Sequence, residues 1–264
     1  MRMQKIGIIG VAVIVNIAQA VPPFMWYATH SVEYYYGNGC AYNLNLQRCH
    51  EEADGFNYAI QALSLPNAWY RYNRRDEECT AYRWTGVSAE VNMVDFLFFS
   101  GHGCGTGPYL GCDPAYEITN WTDIRFGGDG YLKWVQGTAC TWFVAAAADD
   151  CESGMEPFER WGNCFVGVHT VQGHRADTYE YVNELQMSAE FWDRWVTAGN
   201  TISMAWREAQ SHWVYEEAGN RGLQPATAAS NMNYAFELWA DASDAPAPSG
   251  IGYLGWSTFG TPEY

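Results

Sequence analysis

The run Val94-Asp95-Phe96-Leu97-Phe98-Phe99 is apolar on both faces that a strand presents, with a single acid in it. A strand with no polar face has to lie inside a sheet covered on both sides, the position that parallel strands occupy in α/β proteins. The chain then bends at once, because Ser100-Gly101-His102-Gly103 follows. A second run, Tyr131 to Gln136, ends in Gly137-Thr138-Ala139-Cys140. In open parallel sheets the working groups gather in the crevice beyond the carboxyl ends of the strands. If the two strands are neighbours, the imidazole of His102 and the thiol of Cys140 reach the same rim.

The spacing of apolar residues predicts the elements around them. Val32–Tyr36 reads as a first strand ended by Gly37-Asn38-Gly39, and residues 52–63 as a helix closed by Pro66. The polar stretch from Asn73 to Cys79 reads as a connection. A third apolar strand is expected over 165–171. Leu185, Ala189, Trp192 and Val196 mark one helix, ending near Gly199. Ile202, Ala205, Trp206, Ala209 and Trp213 mark another, capped by Asn200 or Thr201, and the tryptophans of both are core. Gln224–Ser230 reads as a late strand and the tail from 240 as irregular chain. The expected fold is α/β, a mainly parallel sheet flanked by helices, with strands at 32–36, 94–99, 132–139 and 165–171.

The first 20 residues have the make-up of a secretory signal peptide: Arg2 and Lys5, an apolar centre from Ile6 to Ile17, and Ala18-Gln19-Ala20 at the cleavage position. Residues 21–264 then form a single domain with no membrane span, placed in the secreted or cell-surface compartment. Removing that leader leaves 12 basic against 30 acidic residues, a charge of −18. Such a surface repels nucleic acid, whose binding needs Lys and Arg to displace phosphate counterions. Eight cysteines in an exported chain are expected to be largely paired. Sequence proximity suggests Cys40 with Cys49, Cys104 with Cys112, Cys151 with Cys164, and Cys79 with Cys140. The last pairing matters, since a bonded Cys140 is no nucleophile. An active Cys140 instead leaves Cys79 as the spare thiol. No CxxC pair points to zinc, no cofactor is called for, and Asn120-Trp121-Thr122 is a glycosylation sequon.

The ordered set "FLFFSGHG" and "VQGTAC" resembles the caspase–hemoglobinase group of cysteine peptidases, in which one strand ends in His-Gly and the next in Ala-Cys or Ser-Cys. It is similar also to a large, uncharacterised family of secreted proteins with a Lys/Arg-Trp strand before the cysteine. In that family a W…F-x-G-x-H strand and an Ala-Trp helix come after it. Here these are Lys133-Trp134, Trp161 to His169, and Ala205-Trp206, so the resemblance spans roughly residues 31–230. It implies Cys140 as nucleophile, His102 as general acid/base, and the N–H groups of Gly103 and Cys140 as the oxyanion hole, with a polypeptide substrate. The caspase glycine two residues after the cysteine is here Trp142. Cys151, in "DDCESGMEPF", is the rival nucleophile through its resemblance to the legumain cysteine stretch, and Lys133-Trp134 favours Cys140.

Other polar residues read as structure: Asp95 as a buried acid paired locally, His169 as a core or rim histidine and not a ligand, and Asp149-Asp150 as a solvated loop where calcium stays open. The competing function is a catalytically inactive, disulfide-stabilised surface or structural protein on the same fold. If the leader reading holds, N-terminal sequencing of the exported protein finds Val21 first, and a membrane-bound form retaining Met1 contradicts it.

Overall fold

The computed structural model describes residues 24–35, 45–65, 67–104, 107–110, 123–128, 131–139, 142, 162–174, 184–218, 225–230, 232–239 and 255–258. The leader, Pro66, the sequon, Asp149-Asp150, Cys140 and Cys151 lie outside them. Phe96–Ser100 is a strand, buried along its whole length as its lack of a polar face requires. In chain order the strands are β1 (Met25–Ser31), β2 (Ala68–Arg75), β3 (Phe96–Ser100), β4 (Gly103–Cys104), β5 (Gly107–Pro108), β6 (Trp134–Thr138), β7 (Thr170–His174), β8 (Pro225–Ala229) and β9 (Gly255–Thr258). Seven of them form one sheet in the order β2-β1-β3-β6-β7-β8-β9, while β4 and β5 make a small separate hairpin. From β2 to β7 the neighbours are parallel, and β8 runs antiparallel to both β7 and β9.

Helices α1 (Cys49–Ala62), α2 (Glu184–Trp192) and α3 (Ile202–Ala218) pack on one face of this sheet. A π turn over Asp193–Thr197 continues α2, and a short α4 (Met232–Ala235) follows β8. Thr201 caps α3, its Oγ1 accepting the Met204 N–H at 3.3 Å. The core on this side is aromatic: Phe56 of α1 stacks on Phe98 at 4.6 Å, and Trp192 lies 5.2 Å from Phe96. Trp195, Trp206 and Trp239 complete it. Each such side chain contributes roughly 1.5–3 kcal/mol by leaving water. The fold is thus α/β, a mostly parallel sheet flanked by helices. Among the described residues the opposite face is packed by 3-10 turns and irregular chain, with Trp84, Tyr109, Ile124, Phe126, Phe165 and Val168 buried there.

Several boundaries move, each for a physical reason. The first strand is Met25–Ser31, not 32–36, because its buried positions include Thr29, His30 and Ser31 and no apolar run marks it. Each of these finds a side-chain partner: Thr29 Oγ1 donates to Asn73 Oδ1 at 3.1 Å, His30 Nδ1 accepts from the buried Trp84 Nε1 at 3.1 Å, and Ser31 bonds His50. β2 takes in part of the polar stretch expected to be a connection. It is the edge strand, where charged residues such as Arg71, Arg74 and Arg75 are tolerated and discourage further pairing. The third apolar strand begins at Thr170 instead of 165. Phe165 makes only an isolated bridge to Phe126, and the apolar residues before Thr170 pack as irregular chain. The tail also contributes β9, a strand without an apolar signature.

At the amino ends of the central strands sits a buried ion pair, Asp95 Oδ1 with Lys133 Nζ at 3.1 Å. Removing one partner strands the other charge away from water, so Asp95→Asn or Lys133→Met is expected to cost about 3–5 kcal/mol. Urea unfolding measures this, and the double replacement Asp95→Leu with Lys133→Met should recover most of it. Single variants that unfold at the wild-type midpoint would remove the pair from any structural role.

Candidate functional site

β3 and β6 are adjacent and parallel, with Phe96 opposite Trp134 and Ser100 opposite Thr138. His102 and Cys140 each follow the last paired residue by two positions, so the two motifs leave the sheet level with one another. β1 joins the row, since Ser31 pairs with Ser100 and the Val32 N–H donates to Ser100 C=O at 3.0 Å. Beneath this rim Glu52, in the first turn of α1 and buried, accepts hydrogen bonds from the hydroxyls of both Ser100 and Thr138. One carboxylate thus ties together the ends of the two strands that carry the motifs.

His102 is half-buried. Its N–H donates to Tyr35 Oη at 2.7 Å, its C=O accepts the Tyr109 N–H at 3.0 Å, and its ring centroid lies 4.8 Å from that of Tyr35. The bond from Tyr109 makes Gly103 and Pro108 a non-hydrogen-bonded pair of the hairpin, so the ladder does not use the Gly103 N–H. The two rim segments touch: a Cβ on Gly103 would stand 3.0 Å from Ala139 Cβ and 2.6 Å from Trp142 Nε1. Trp142 is fully buried and stacks on Phe99 with centroids 5.6 Å apart. The indole of Trp142 therefore turns inward beneath the rim and becomes core.

Cys140 and the rival Cys151 lie outside the described residues, as does one member of each of the pairs suggested for Cys49, Cys104 and Cys164. Cys79 is a free thiol, and therefore not bonded to Cys140. Its Sγ donates to the carbonyls of Arg74 at 3.3 Å and Ser31 at 3.6 Å, and burial pushes its pKa up, so it stays protonated. Asp95 and His169 sit at the far, amino end of the sheet: Asp95 pairs with Lys133, and His169 is buried against Tyr234 at 3.9 Å. Neither belongs to the rim.

Residues without any motif build the rest. Ser31 bonds His50 Nδ1 at 2.8 Å, and His50 Nε2 lies 3.0 Å from Asp76 Oδ2. Asp76 Oδ1 in turn accepts the N–H groups of Glu33 and Tyr34 at 2.9 and 3.0 Å. Ser31 is wholly buried, so this serine–histidine–aspartate chain braces the segment leading to Tyr35 and offers no nucleophile to a substrate. On the other flank His174, at the end of β7, bonds Gln210 Oε1 at 3.0 Å. A tyrosine in an aromatic run and an acid in a helix carry no spacing signal, which is why Tyr35 and Glu52 escape a reading by motif.

Residues 29–257 match the model of a family described as a domain of unknown function (DUF6345), and the chain belongs to that family. No curated protein matches the chain.

Burial pushes the imidazole of His174 down to about 4, against the opposing effects of Gln210 and the Ala139 backbone. Burial, helped by Arg74 and Arg83, pushes His30 to about 3. Both are neutral in the folded protein, whereas an unfolded histidine protonates near pH 6.5. Their contribution is complete above that value and is lost as pH falls toward about 4, where only the unfolded chain takes up these protons. The slope is at most about 1.4 kcal/mol per pH unit for each histidine. Urea midpoints should drop steadily from pH 6.5 to 4.5, and less steeply in His174→Asn. A flat profile would mean that both rings ionise without unfolding.

Proposed function

We propose that this member of the DUF6345 family is an exported cysteine peptidase of the caspase–hemoglobinase kind, cleaving peptide bonds with Cys140 and His102. The observation that carries the reading is the register of β3 on β6, Ser100 against Thr138, from which the His-Gly and Ala-Cys motifs depart side by side. The contact of Gly103 with Ala139 and the free thiol of Cys79 support it.

In this chemistry the Cys140 thiolate attacks the carbonyl carbon of the scissile bond. A C–S bond forms and the electron pair moves to the carbonyl oxygen, facing the N–H groups of Gly103 and Cys140. Collapse of this adduct breaks the C–N bond, and the departing amine takes a proton from the His102 imidazolium. Water then attacks the thioester, giving a proton to His102, and the acid product leaves as the thiol is restored. A strand end is a stiff mount for such a pair, and glycines beside it let a substrate backbone come close.

The test is hydrolysis of unfolded protein substrates by the mature chain, beside iodoacetamide labelling of each cysteine. Cys140 should label first among the cysteines. Cys140→Ala should abolish hydrolysis, and His102→Ala should slow it by roughly 10²–10⁴-fold, with folding unchanged. If neither replacement alters hydrolysis and Cys140 labels no faster than the rest, the inactive surface protein becomes the better account.

A further inference from the structure

We infer that Tyr35 is a positioning residue for His102, holding its imidazole where the Cys140 chemistry needs it; the inference rests on that reading of the site. Tyr35 touches both halves of His102. Its hydroxyl oxygen accepts the His102 N–H at 2.7 Å, and its ring lies against the imidazole at 4.8 Å with the planes inclined by 49°. A histidine at the mouth of a loop has two side-chain torsions to spend, and a misplacement of about 1 Å in a catalytic group can lower a rate about a hundredfold. A ring packed on the imidazole and a bond to its own backbone remove much of that freedom.

Tyr35 is itself held firmly. It is 5 % exposed, and its N–H donates to Asn45 Oδ1 at 3.2 Å. The two residues before it hang from Asp76, and Val32 hangs from Ser100 C=O, two residues short of His102 in the chain. The segment that presents Tyr35 is therefore fastened to the same strand end that presents His102. Gly101 is what admits the phenol: a Cβ there would stand 2.9 Å from Tyr35 Oη. Burial keeps the phenol protonated, its pKa raised well above the usual tyrosine value, so Tyr35 accepts a hydrogen bond without acting as a base. It never needs to meet the substrate.

Iodoacetamide alkylation of Cys140 at pH 7 tests this without a known substrate. It is measured in the full mature chain for wild type, His102→Ala, Tyr35→Leu and Tyr35→Phe, together with the NMR signals of the His102 ring. Tyr35→Leu, which loses both contacts, should slow alkylation by roughly ten- to a hundredfold and move the His102 ring signals out of the field of the aromatic ring. Tyr35→Phe keeps the ring and loses the acceptor, so it should fall between Tyr35→Leu and wild type, and it decides the matter if the leucine variant does not fold. Wild-type alkylation and unmoved ring signals in the folded Tyr35 variants, beside a slow His102→Ala, overturn the positioning role and leave the dyad standing. Wild-type alkylation in His102→Ala removes the dyad, and the role of Tyr35 with it.

Discussion

Asp95 and Lys133 meet at 3.1 Å in the dry interior, at the amino ends of β3 and β6, and the arrangement of the sheet follows from that contact. Asp95 also accepts the Trp26 N–H of β1 through Oδ2 at 2.8 Å, while its carbonyl takes the N–H groups of Lys133 and Trp134 at 2.9 and 3.1 Å. The carbonyl of Lys133 receives those of His169 and Thr170 at the start of β7, at 2.7 and 3.1 Å. One ion pair with its flanking amides therefore aligns four strands at a single level. Two buried charges contribute little net stability after desolvation, since an apolar pair of similar volume serves as well. Their effect is on register, which apolar side chains on a two-faced strand define weakly.

What the pair sets at one end is read out at the other. From Asp95 to Ser100 the strand rises about 3.3 Å per residue, so the rim stands roughly 16 Å away. There Ser31, Ser100 and Thr138 lie in a row across three strands, and the first turn of α1 brings His50 and Glu52 against it. A carboxylate in the first turn of a helix is favoured by the backbone dipole as well as by the hydroxyls it accepts. The rim is thus cross-braced from the helical face, while the opposite face supplies Tyr35 and Trp142 from irregular chain. The two faces have divided the work: one fastens the strand ends, the other shapes the loops that leave them.

What the sequence made legible follows the same division. β3 was readable because burial on both faces forces an apolar run. β6, with Gln136, Gly137 and Thr138, gives a fainter signal, and its place beside β3 was expected from the resemblance of the His-Gly and Ala-Cys ends to the peptidase motifs. Asp95 was readable as a locally paired acid, since a lone acid in such a run needs a counter-charge. β1 was not readable, because Thr29, His30 and Ser31 are buried through side-chain partners that lie 19 to 54 residues away. β2 hid behind arginines that only its edge position makes acceptable. Tyr35 and Glu52 act through contacts with residues 67 and 48 positions away, and no local spacing records such contacts.

The separation between the ion pair and the rim has a consequence for how such a site keeps its geometry. A slip of one residue between β3 and β6 would bring Ser100 opposite Gly137 or Ala139, and it would turn every side chain of the slipped strand to the other face. Glu52 would then lose one of its two hydroxyls, and Gly101 would no longer leave β3 level with Ala139 just past β6. With the ion pair at the far end, the rim is left to small polar residues and glycines, Ser31, Ser100, Gly101 and Thr138 among them. The rim residues of β1, β3 and β6 are themselves small, Ser31, Ser100 and Thr138, and are held by His50 and Glu52 of α1. Order is supplied from below by the ion pair, from the side by Glu52 of α1, and at the segment after β3 by Tyr35 and Trp142.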